Sequence, residues 1–297
     1  MWFVLSLITI FFWGGSDLFS KKGTDPQDKF SHWRLVIVVG LFMGIHACAY
    51  LLITGISYSP LSIIRYFPVS FLYILAMIIG YAGLRYIELS VSSPICNSSG
   101  AVAALLCFLI LGQSMSGIQF MAVALICLGI FSLSFLEKRQ ERLERKRLGV
   151  IADKKYTVGL IAILFPVLYC FIDGVGSFVD AYYLENLMEE AEVLLSYEFT
   201  FLACSLGAFI YMKFVRKQVF RLFKEKTFGA AALCETAGQF TYVFALADNA
   251  IVAAPMISSY CIFSVVLSRI FLKEKLTRPQ YLVIGMVIVG IVILGVE

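Results

Sequence analysis

Long apolar segments dominate the sequence and restrict the folds that are available to it. Ten such segments, each bounded by polar or turn residues, lie at 2–20, 33–54, 67–87, 91–111, 117–136, 157–179, 194–214, 228–247, 251–272 and 279–296. A helix needs about 20 apolar residues to cross a bilayer, whereas a barrel strand needs about ten residues of alternating polarity. These segments are continuously apolar, so we expect an all-α integral membrane protein with ten transmembrane helices.

The composition excludes a soluble domain of catalytic size. Hydrophobic residues make up 60% of the chain and charged residues only 15%, against roughly a quarter in soluble proteins. The two longest polar stretches, 137–156 and 181–193, are too short to fold independently. All eight cysteines lie in apolar segments, so we expect no disulfide framework. The segment from Trp2 lacks a preceding basic region, which predicts a retained helix rather than a signal peptide.

Lys and Arg are concentrated in alternate connections. The connections after segments one, three, five, seven and nine hold 4, 1, 8, 6 and 4 of them, counting the segment ends, whereas the even-numbered connections hold only Arg65. Basic residues flank membrane helices mainly on the cytoplasmic side. We therefore predict a multi-pass protein of the cytoplasmic (plasma) membrane, with both termini outside and the 137–156 connection in the cytoplasm.

The connection 137–156 also divides the chain into a first half, 1–136, and a second half, 157–297. Its sequence EKRQERLERKR at 137–147 predicts a solvated helix that attracts anionic lipid headgroups. No aromatic residues are interleaved with these charges, so we expect no nucleic-acid partner. The expected partners are the lipid bilayer and a small-molecule substrate, and the sequence is compatible with a monomer or a homodimer.

The two halves repeat each other over their last two segments. A shift of 161 positions aligns, without a gap, Pro94 with Pro255, Ser98 with Ser259, Leu106 with Leu267, Leu111 with Leu272, Gln119 with Gln280, Gly129 with Gly290 and Leu133 with Leu294. Each copy contains five helices, and an odd number inverts the second copy relative to the first. Inverted repeats of this kind form a central site that opens alternately to each side. We therefore expect two inverted five-helix repeats around a central cavity.

Further features lie at the two ends of the chain. The first segment contains the pair Trp13-Gly14, and residues 250–294 combine an early proline, Glu274 in a short basic turn, Gln280 and several glycines. In these features the chain resembles the EamA-like, ten-helix branch of the drug/metabolite transporter superfamily over essentially its whole length. The resemblance implies import or export of small metabolites without naming one. Gln113 departs from that family, which often repeats at this loop position the acidic residue seen at Glu274.

Ionisable side chains at membrane depth are candidates for a functional site, because a charge within a bilayer usually faces a cavity or a partner. Glu235 lies near the middle of segment eight, and Gln239 and Tyr242 follow it on the same helical face. We expect Glu235 to bind a cation or exchange a proton, since burial favours the neutral form of a carboxyl group. The alternative is a protonated carboxyl group that is hydrogen-bonded to a neighbouring helix.

Two aspartates occupy comparable positions in segments one and six. Aligning Trp13 with Tyr169 places Asp17 on Asp173, and each aromatic residue lies one turn before its aspartate. Carboxylates beside aromatic faces suit an amine, guanidinium or quaternary ammonium group through charge attraction and cation–π contact. We therefore expect these residues to bind a cationic or zwitterionic substrate. The alternative for Asp17 is an ion pair with Lys21 at the membrane edge.

Polar residues after the aligned prolines of segments four and nine complete the predicted site. Asn97 and Tyr260 either line the pore there or serve helix packing. The predicted substrate-binding residues are Glu235, Asp173, Asp17, Trp13, Tyr169, Gln239, Asn97 and Tyr260, and the candidates for proton coupling are Glu235, Asp173 and His46.

Two other buried ionisable groups have more ordinary interpretations. His46 has no Cys or second His at ligand spacing, so we expect no metal site and favour a structural hydrogen bond. Glu198 lies about one turn inside segment seven, where we expect it to line a water-filled vestibule. No residue pattern indicates a cofactor.

Together these features predict a secondary active transporter. It moves a small polar, cationic or zwitterionic metabolite by alternating access, with proton exchange at Glu235 or Asp173. The alternative is an exporter of neutral or aromatic amino acids in which the buried acids are structural or couple protons. An enzyme would need Ser16 to meet His46, and no motif brings them together, so we predict none. A nucleotide-binding loop and a channel selectivity motif are both absent from the sequence.

Overall fold

A computed structural model describes residues 1–23, 30–83, 96–148, 160–218, 226–271 and 276–297. In these ranges all regular secondary structure is helical, as the apolar segments predict. The helices are α1 (Trp2–Gly23), α2 (Ser31–Thr54), α3 (Leu61–Gly83), α4 (Ser99–Ile110), α5 (Gly117–Leu148), α6 (Leu160–Asn186), α7 (Glu190–Ile210), α8 (Lys226–Ile257), α9 (Tyr260–Phe271) and α10 (Arg278–Val296). A π-helical turn, Tyr211–Val215, extends α7.

Six of the helical stretches are long and apolar enough to cross a membrane: Trp2–Ser20, Trp33–Thr54, Leu164–Asn186, Glu190–Val215, Lys226–Ile257 and Arg278–Val296. Shorter apolar stretches occur in α3, α4 and α5. The helix α8 is kinked at Asn249, whose backbone is not helical (φ −160°, ψ 82°). Its second part therefore belongs to predicted segment nine, and segments eight and nine meet at the kink.

Segments four and nine are interrupted at equivalent positions. The helix breaks at Asn97-Ser98 before α4 and at Ser258-Ser259 before α9. After each break a backbone N–H donates to the carbonyl oxygen of the serine: Ala101 to Ser98 at 3.1 Å and Ile262 to Ser259 at 2.9 Å. The shift of 161 positions relates both breaks and both hydrogen bonds. The internal repeat found in the sequence is thus also a repeat of backbone structure.

Each half of the chain packs mainly on the other half. The first helix of the first half, α1, contacts α8 and α9, and its equivalent in the second half, α6, contacts α3 and α4. Likewise α2 packs against α7, and α5 packs against α10. The buried apolar residues that these contacts create come from both halves. The hydrophobic core is therefore shared, and neither half has a separate one.

Close approaches at glycines identify equivalent positions in α1 and α6. A Cβ atom on Gly14 would lie 3.3 Å from Cβ of Phe263, and a Cβ atom on Gly174 would lie 2.6 Å from Cβ of Val102. Phe263 and Val102 are themselves related by the shift of 161 positions. The packing therefore aligns Gly14 with Gly174, and the contacts of Gly15 with Cys234 and of Gly176 with Tyr73 give the same register to within one residue.

This equivalence corrects the alignment that was based on aromatic residues. Aligning Trp13 with Tyr169 places Asp17 on Asp173, whereas the glycine contacts place Asp17 about one turn later on α6, at Ser177 or Phe178. The reason is that close backbone approach fixes the register of packed helices, while a large side chain can occupy several neighbouring positions. The carboxyl groups of the two halves are thus not symmetric.

Side-chain contacts bring several helix ends together at one face of the molecule. They join the Trp2 N–H to Asp248 Oδ2 (2.6 Å), Gln113 Nε2 to Glu185 Oε2 (3.1 Å) and Ser116 Oγ to Glu297 Oε1 (2.8 Å). We call this the terminal face, because α1 begins there and α10 ends there. We call the opposite face the basic face. At this face Gly23, at the end of α1, approaches Phe228, near the start of α8.

One predicted loop turns out to be largely helical, and the helix predicted in the basic connection is confirmed. The stretch 181–193 was expected to be an outer loop, but α6 continues to Asn186 and α7 begins at Glu190. The basic stretch 137–147 is part of α5, which runs to Leu148. Glu, Lys and Arg are good helix formers, so a helix can continue through polar residues beyond the end of its apolar segment. Pro94 and Glu274 lie outside the described residues.

Candidate functional site

Three aromatic rings form the centre of the candidate site. The Trp13 ring on α1 lies 5.1 Å from the Tyr242 ring on α8 and 5.6 Å from the Tyr260 ring on α9. A Cβ atom on Gly238 would lie 2.7 Å from Trp13 Nε1, so only glycine at this position leaves room for the indole against α8. We call Trp13, Tyr242 and Tyr260 the aromatic cluster.

Glu235 lies one turn before Gly238 on α8, on the basic-face side of the aromatic cluster. Its carboxyl group is half-buried and accepts a hydrogen bond from the Ser16 hydroxyl group on α1. Asp17 is exposed and close enough to interact electrostatically with both Glu235 and Tyr260. Among the described residues, no Lys, Arg or His forms an ion pair with Glu235. Negative charge on Glu235, which has no basic partner among the described residues, can therefore develop beside the cluster.

Asp173 lies on α6, where it meets the broken helix of the first half. The Ser99 hydroxyl group, at the start of α4, donates a hydrogen bond to the half-buried Asp173 carboxyl group. Tyr169, one turn earlier on α6, lies near Tyr260. These contacts bring the predicted residues of α6 to the same region as the aromatic cluster.

Two predicted site residues occupy different surroundings. Gln239 is only 3% exposed, so it is enclosed between helices. Asn97 lies at the break before α4 and borders a small void next to Phe131 and Ser258. This void and an open cleft of about 530 Å³ between α5 and α10 are lined by no carboxyl group. The substrate contacts predicted for Gln239 and Asn97 remain predictions.

A second polar cluster lies nearer the terminal face and is centred on Asp180. The Tyr66 hydroxyl group donates to Asp180 Oδ1 at 2.8 Å, and the Tyr73 hydroxyl group lies 3.4 Å from Oδ2. The Tyr73 and Tyr242 hydroxyl oxygens are 2.9 Å apart, which links this cluster to the aromatic cluster. Asp180 and Tyr66 are both 0% exposed. We call Tyr66, Tyr73, Asp180 and Tyr242 the tyrosine gate.

The sequence analysis does not predict the tyrosine gate, because predicted segment six ends one residue before Asp180. Asp180 therefore falls outside the apolar segments in which buried ionisable groups were sought, although α6 continues to Asn186. A usable signal was present in the spacing of Asp173, Ser177 and Asp180, which places three polar side chains on one face of a helix.

His46 and Glu198 form a separate pair between α2 and α7. The His46 Nδ1 atom lies 2.8 and 2.9 Å from the two carboxyl oxygens of Glu198. This geometry confirms the structural hydrogen bond expected for His46. The vestibule expected for Glu198 is wrong, because its side chain is 0% exposed. The helix α7 begins before the apolar segment does, so Glu198 lies two turns inside the helix and not one.

The same contacts bear on the other chemistries that were considered. Ser16 bonds to Glu235, and His46 bonds to Glu198, so the two residues do not form a Ser–His pair. In the part of the chain that the structure describes, no group of three His, Cys, Asp or Glu side chains is arranged to hold a metal ion.

Exposure decreases from the basic face towards the terminal face. Asp17 is exposed, Glu235 and Tyr260 are half-buried, and Tyr66 and Asp180 are fully buried. The exposed fraction of these side chains therefore falls from Asp17 to Asp180, and the tyrosine gate is the most enclosed part of this series.

Comparison with known proteins identifies the family. The model of the EamA-like transporter family matches residues 1–135 and 159–296, which correspond to the two halves of the chain. Among solved structures, one crystal structure superposes with a TM-score of 0.72, covering 99% of this chain and 96% of that chain at 12% sequence identity. No protein with curated annotation matches the sequence. The chain therefore belongs to the EamA-like transporter family, a family of multi-pass membrane transporters in the drug/metabolite transporter superfamily.

Proposed function

We propose that this protein is a secondary active transporter for a small cationic or zwitterionic metabolite. The observation that carries the proposal is the aromatic cluster beside Glu235, a half-buried carboxyl group that has no basic partner among the described residues. The cluster is built from α1, α8 and α9, which come from both halves of the chain. A relative movement of the halves would therefore change its accessibility.

The mechanism that we propose is alternating access between two inverted five-helix halves. In support of this arrangement, α1 begins at the terminal face, whereas its equivalent α6 ends there. Ten membrane-spanning helices fit this alternation, with α3, α4, α5 and α9 added to the six longer spans. The distribution of Lys and Arg then predicts that the basic face is cytoplasmic and that both termini are outside.

The substrate class follows from the chemistry of the site. A cation over the face of a Trp or Tyr ring gains about 0.5–2 kcal/mol, and more when it is desolvated. Trp13, Tyr242 and Tyr260 supply three such rings, and Glu235 supplies the opposite charge. An amine, guanidinium or quaternary ammonium group satisfies both, whereas an anionic substrate would be repelled by Glu235 and Asp17.

Proton coupling fits the same residues. A carboxyl group within the membrane is stable when it is either protonated or paired with a cation. If Glu235 or Asp173 holds a proton in one conformation and the cationic substrate in the other, the two exchange without leaving an unpaired charge. His46 remains a candidate for proton transfer, although its Nδ1 atom is engaged by Glu198.

One observation favours the alternative substrate, a neutral or aromatic amino acid. Ser16 already donates a hydrogen bond to Glu235, as expected for a carboxyl group with a structural or proton-coupling role. The aromatic cluster would then stack on the substrate side chain. The two proposals differ in whether binding depends on the charge of Glu235.

Thermal stability of the detergent-purified protein separates these possibilities. A ligand at about 100 times its dissociation constant stabilises the folded state by about 2.7 kcal/mol, which raises the melting temperature measurably. We would screen alkylamines, guanidines, choline, neutral amino acids and nucleosides at pH 6 and pH 8. The proposal expects shifts from the cationic compounds and no shifts from them with Glu235→Gln.

The control is Glu189→Gln, which makes the same change at an exposed acidic residue before α7. This variant should respond to ligands as the unmodified protein does. Unchanged shifts from cationic compounds with Glu235→Gln would refute the assignment of Glu235. Shifts confined to neutral or aromatic amino acids would favour the alternative substrate.

A further inference from the structure

We infer that closing the terminal face takes up a proton at Asp180, so that the tyrosine gate is opened and closed by protonation. This inference rests on the proposed alternating access and adds a proton site that is distinct from Glu235. The four gate residues lie on three helices: Tyr66 and Tyr73 on α3, Asp180 on α6 and Tyr242 on α8. Because α3 belongs to the first half and the other two helices to the second half, the gate joins the two halves.

The surroundings of Asp180 hold no positive charge among the described residues. The ionisable groups that face it are the phenols of Tyr66 and Tyr73 from α3, Tyr242 from α8, Tyr197 from α7 and Tyr183 from its own helix. The carboxyl groups of Asp173 and Glu235, which act on Tyr197 together with Asp180, carry the same sign of charge when ionised.

A fully buried carboxylate without a cation costs several kcal/mol even when some hydrogen bonds remain. Asp180 is 0% exposed, so the closed gate stabilises its neutral form relative to its charged form. When the halves separate at the terminal face, water reaches the carboxyl group and removes this penalty. Closing of the gate and binding of the proton are therefore coupled.

The hydrogen bonds of the gate can accommodate the proton. In the ionised form Asp180 accepts from Tyr66 through Oδ1 and from Tyr73 through Oδ2. When water delivers a proton to Oδ2, the new hydroxyl group donates to the Tyr73 oxygen. Tyr73 then donates to Tyr242, which donates in turn to Ser177. The bond between Asp180 and Tyr73 is reversed rather than lost, and the proton returns to water when the gate opens.

Cysteine accessibility tests this inference without any substrate. Ser70 is 0% exposed and lies on α3 between Tyr66 and Tyr73, one turn from each, with its hydroxyl group near Thr200 on α7, so a Ser70→Cys probe is enclosed within the closed gate. The eight native cysteines are replaced by serine or alanine, and the protein is reconstituted in liposomes. A membrane-impermeant methanethiosulfonate reagent is added on the side of the terminal face at pH 6 and at pH 9. The experiment compares two proteins that both carry Ser70→Cys, one with Asp180 and one with Asp180→Asn.

The readout is the labelling rate with Asp180 divided by the rate with Asp180→Asn, because this ratio cancels the pH dependence of the thiol itself. One coupled proton changes an equilibrium by at most tenfold per pH unit, so we expect the ratio to rise more than about tenfold between the two pH values. A ratio that stays constant would overturn the inference. Since no substrate is present, cation binding at Glu235 is judged separately in the thermal screen.

A milder variant keeps the test decisive if Asp180→Asn does not fold. Tyr66→Phe removes the 2.8 Å hydrogen bond and leaves the carboxyl group in place. Loss of one hydrogen bond should loosen the gate and increase the labelling rate of Ser70→Cys by about two- to tenfold. Tyr182→Phe, at an exposed tyrosine of α6, is the matched control and should leave the rate unchanged. Equal rates in the two variants would refute the gate.

Discussion

The position of Trp13 depends on the absence of a side chain at Gly238, which makes Gly238→Ala an informative substitution. A new Cβ atom would lie 2.7 Å from the indole Nε1 atom, whereas ordinary contacts between such atoms begin at about 3.4 Å. The indole must therefore move by several tenths of an ångström or more. It is held by Tyr242 on one side and Tyr260 on the other, so it cannot move without disturbing the aromatic cluster.

Two opposing effects set the magnitude of the change in stability. Alanine stabilises a helix interior by about 0.5–1 kcal/mol relative to glycine. Overpacking of a well-filled contact costs about 1–3 kcal/mol. We therefore expect Gly238→Ala to lower the free energy of unfolding by up to about 2 kcal/mol and to weaken substrate binding, because the displaced indole no longer stacks on Tyr242.

The assay is thermal unfolding of the purified protein with and without a ligand identified in the screen. The matched control is Gly229→Ala on the same helix, where the new Cβ atom would lie 3.9 Å from its nearest neighbour, Phe42. The control should be as stable as the unmodified protein or more stable, with unchanged binding. If Gly238→Ala behaves like Gly229→Ala in both measurements, Trp13 does not occupy the position described here.

Further predictions concern helix packing and the hydrogen bond between His46 and Glu198. Gly40→Ala would place a Cβ atom 2.5 Å from a backbone carbonyl oxygen of α7, so we expect it to lower the free energy of unfolding by about 1–3 kcal/mol. The control Gly207→Ala places its Cβ atom in open space and should show no such loss in thermal unfolding. His46→Ala would leave Glu198 buried without its hydrogen-bond partner, and we expect a loss of about 1–3 kcal/mol. The exposed Cys48 on the same helix provides the control Cys48→Ala, and a melting temperature for His46→Ala equal to that of the control would contradict this expectation.

Much of the site was predictable because polar residues are rare in membrane segments. A carboxyl group such as Glu235 or Asp173 stands out against an apolar background, and its cost within lipid implies a cavity or a partner. The structure places both in half-buried positions, and it also brings Trp13 and Tyr260 together. What these residues bind is still a proposal.

Partners across helices were not predictable in the same way. Glu198 was assigned to a vestibule because the sequence does not reveal that His46 lies opposite it on another helix. Asp180 was overlooked because the end of an apolar segment does not mark the end of a helix, and its partners Tyr66 and Tyr73 lie more than 100 residues away in the chain. Neither pairing leaves a local pattern in the sequence.

The sequence by itself determined the helical membrane fold, the division into two halves and the repeat between them. These properties follow from local composition, since lipid requires each spanning segment to satisfy its own backbone hydrogen bonds. Only the tertiary structure decided the register between the halves, which Gly14 and Gly174 fix through contacts with Phe263 and Val102. That register depends on how closely backbones from distant segments approach one another, and no single segment contains this information.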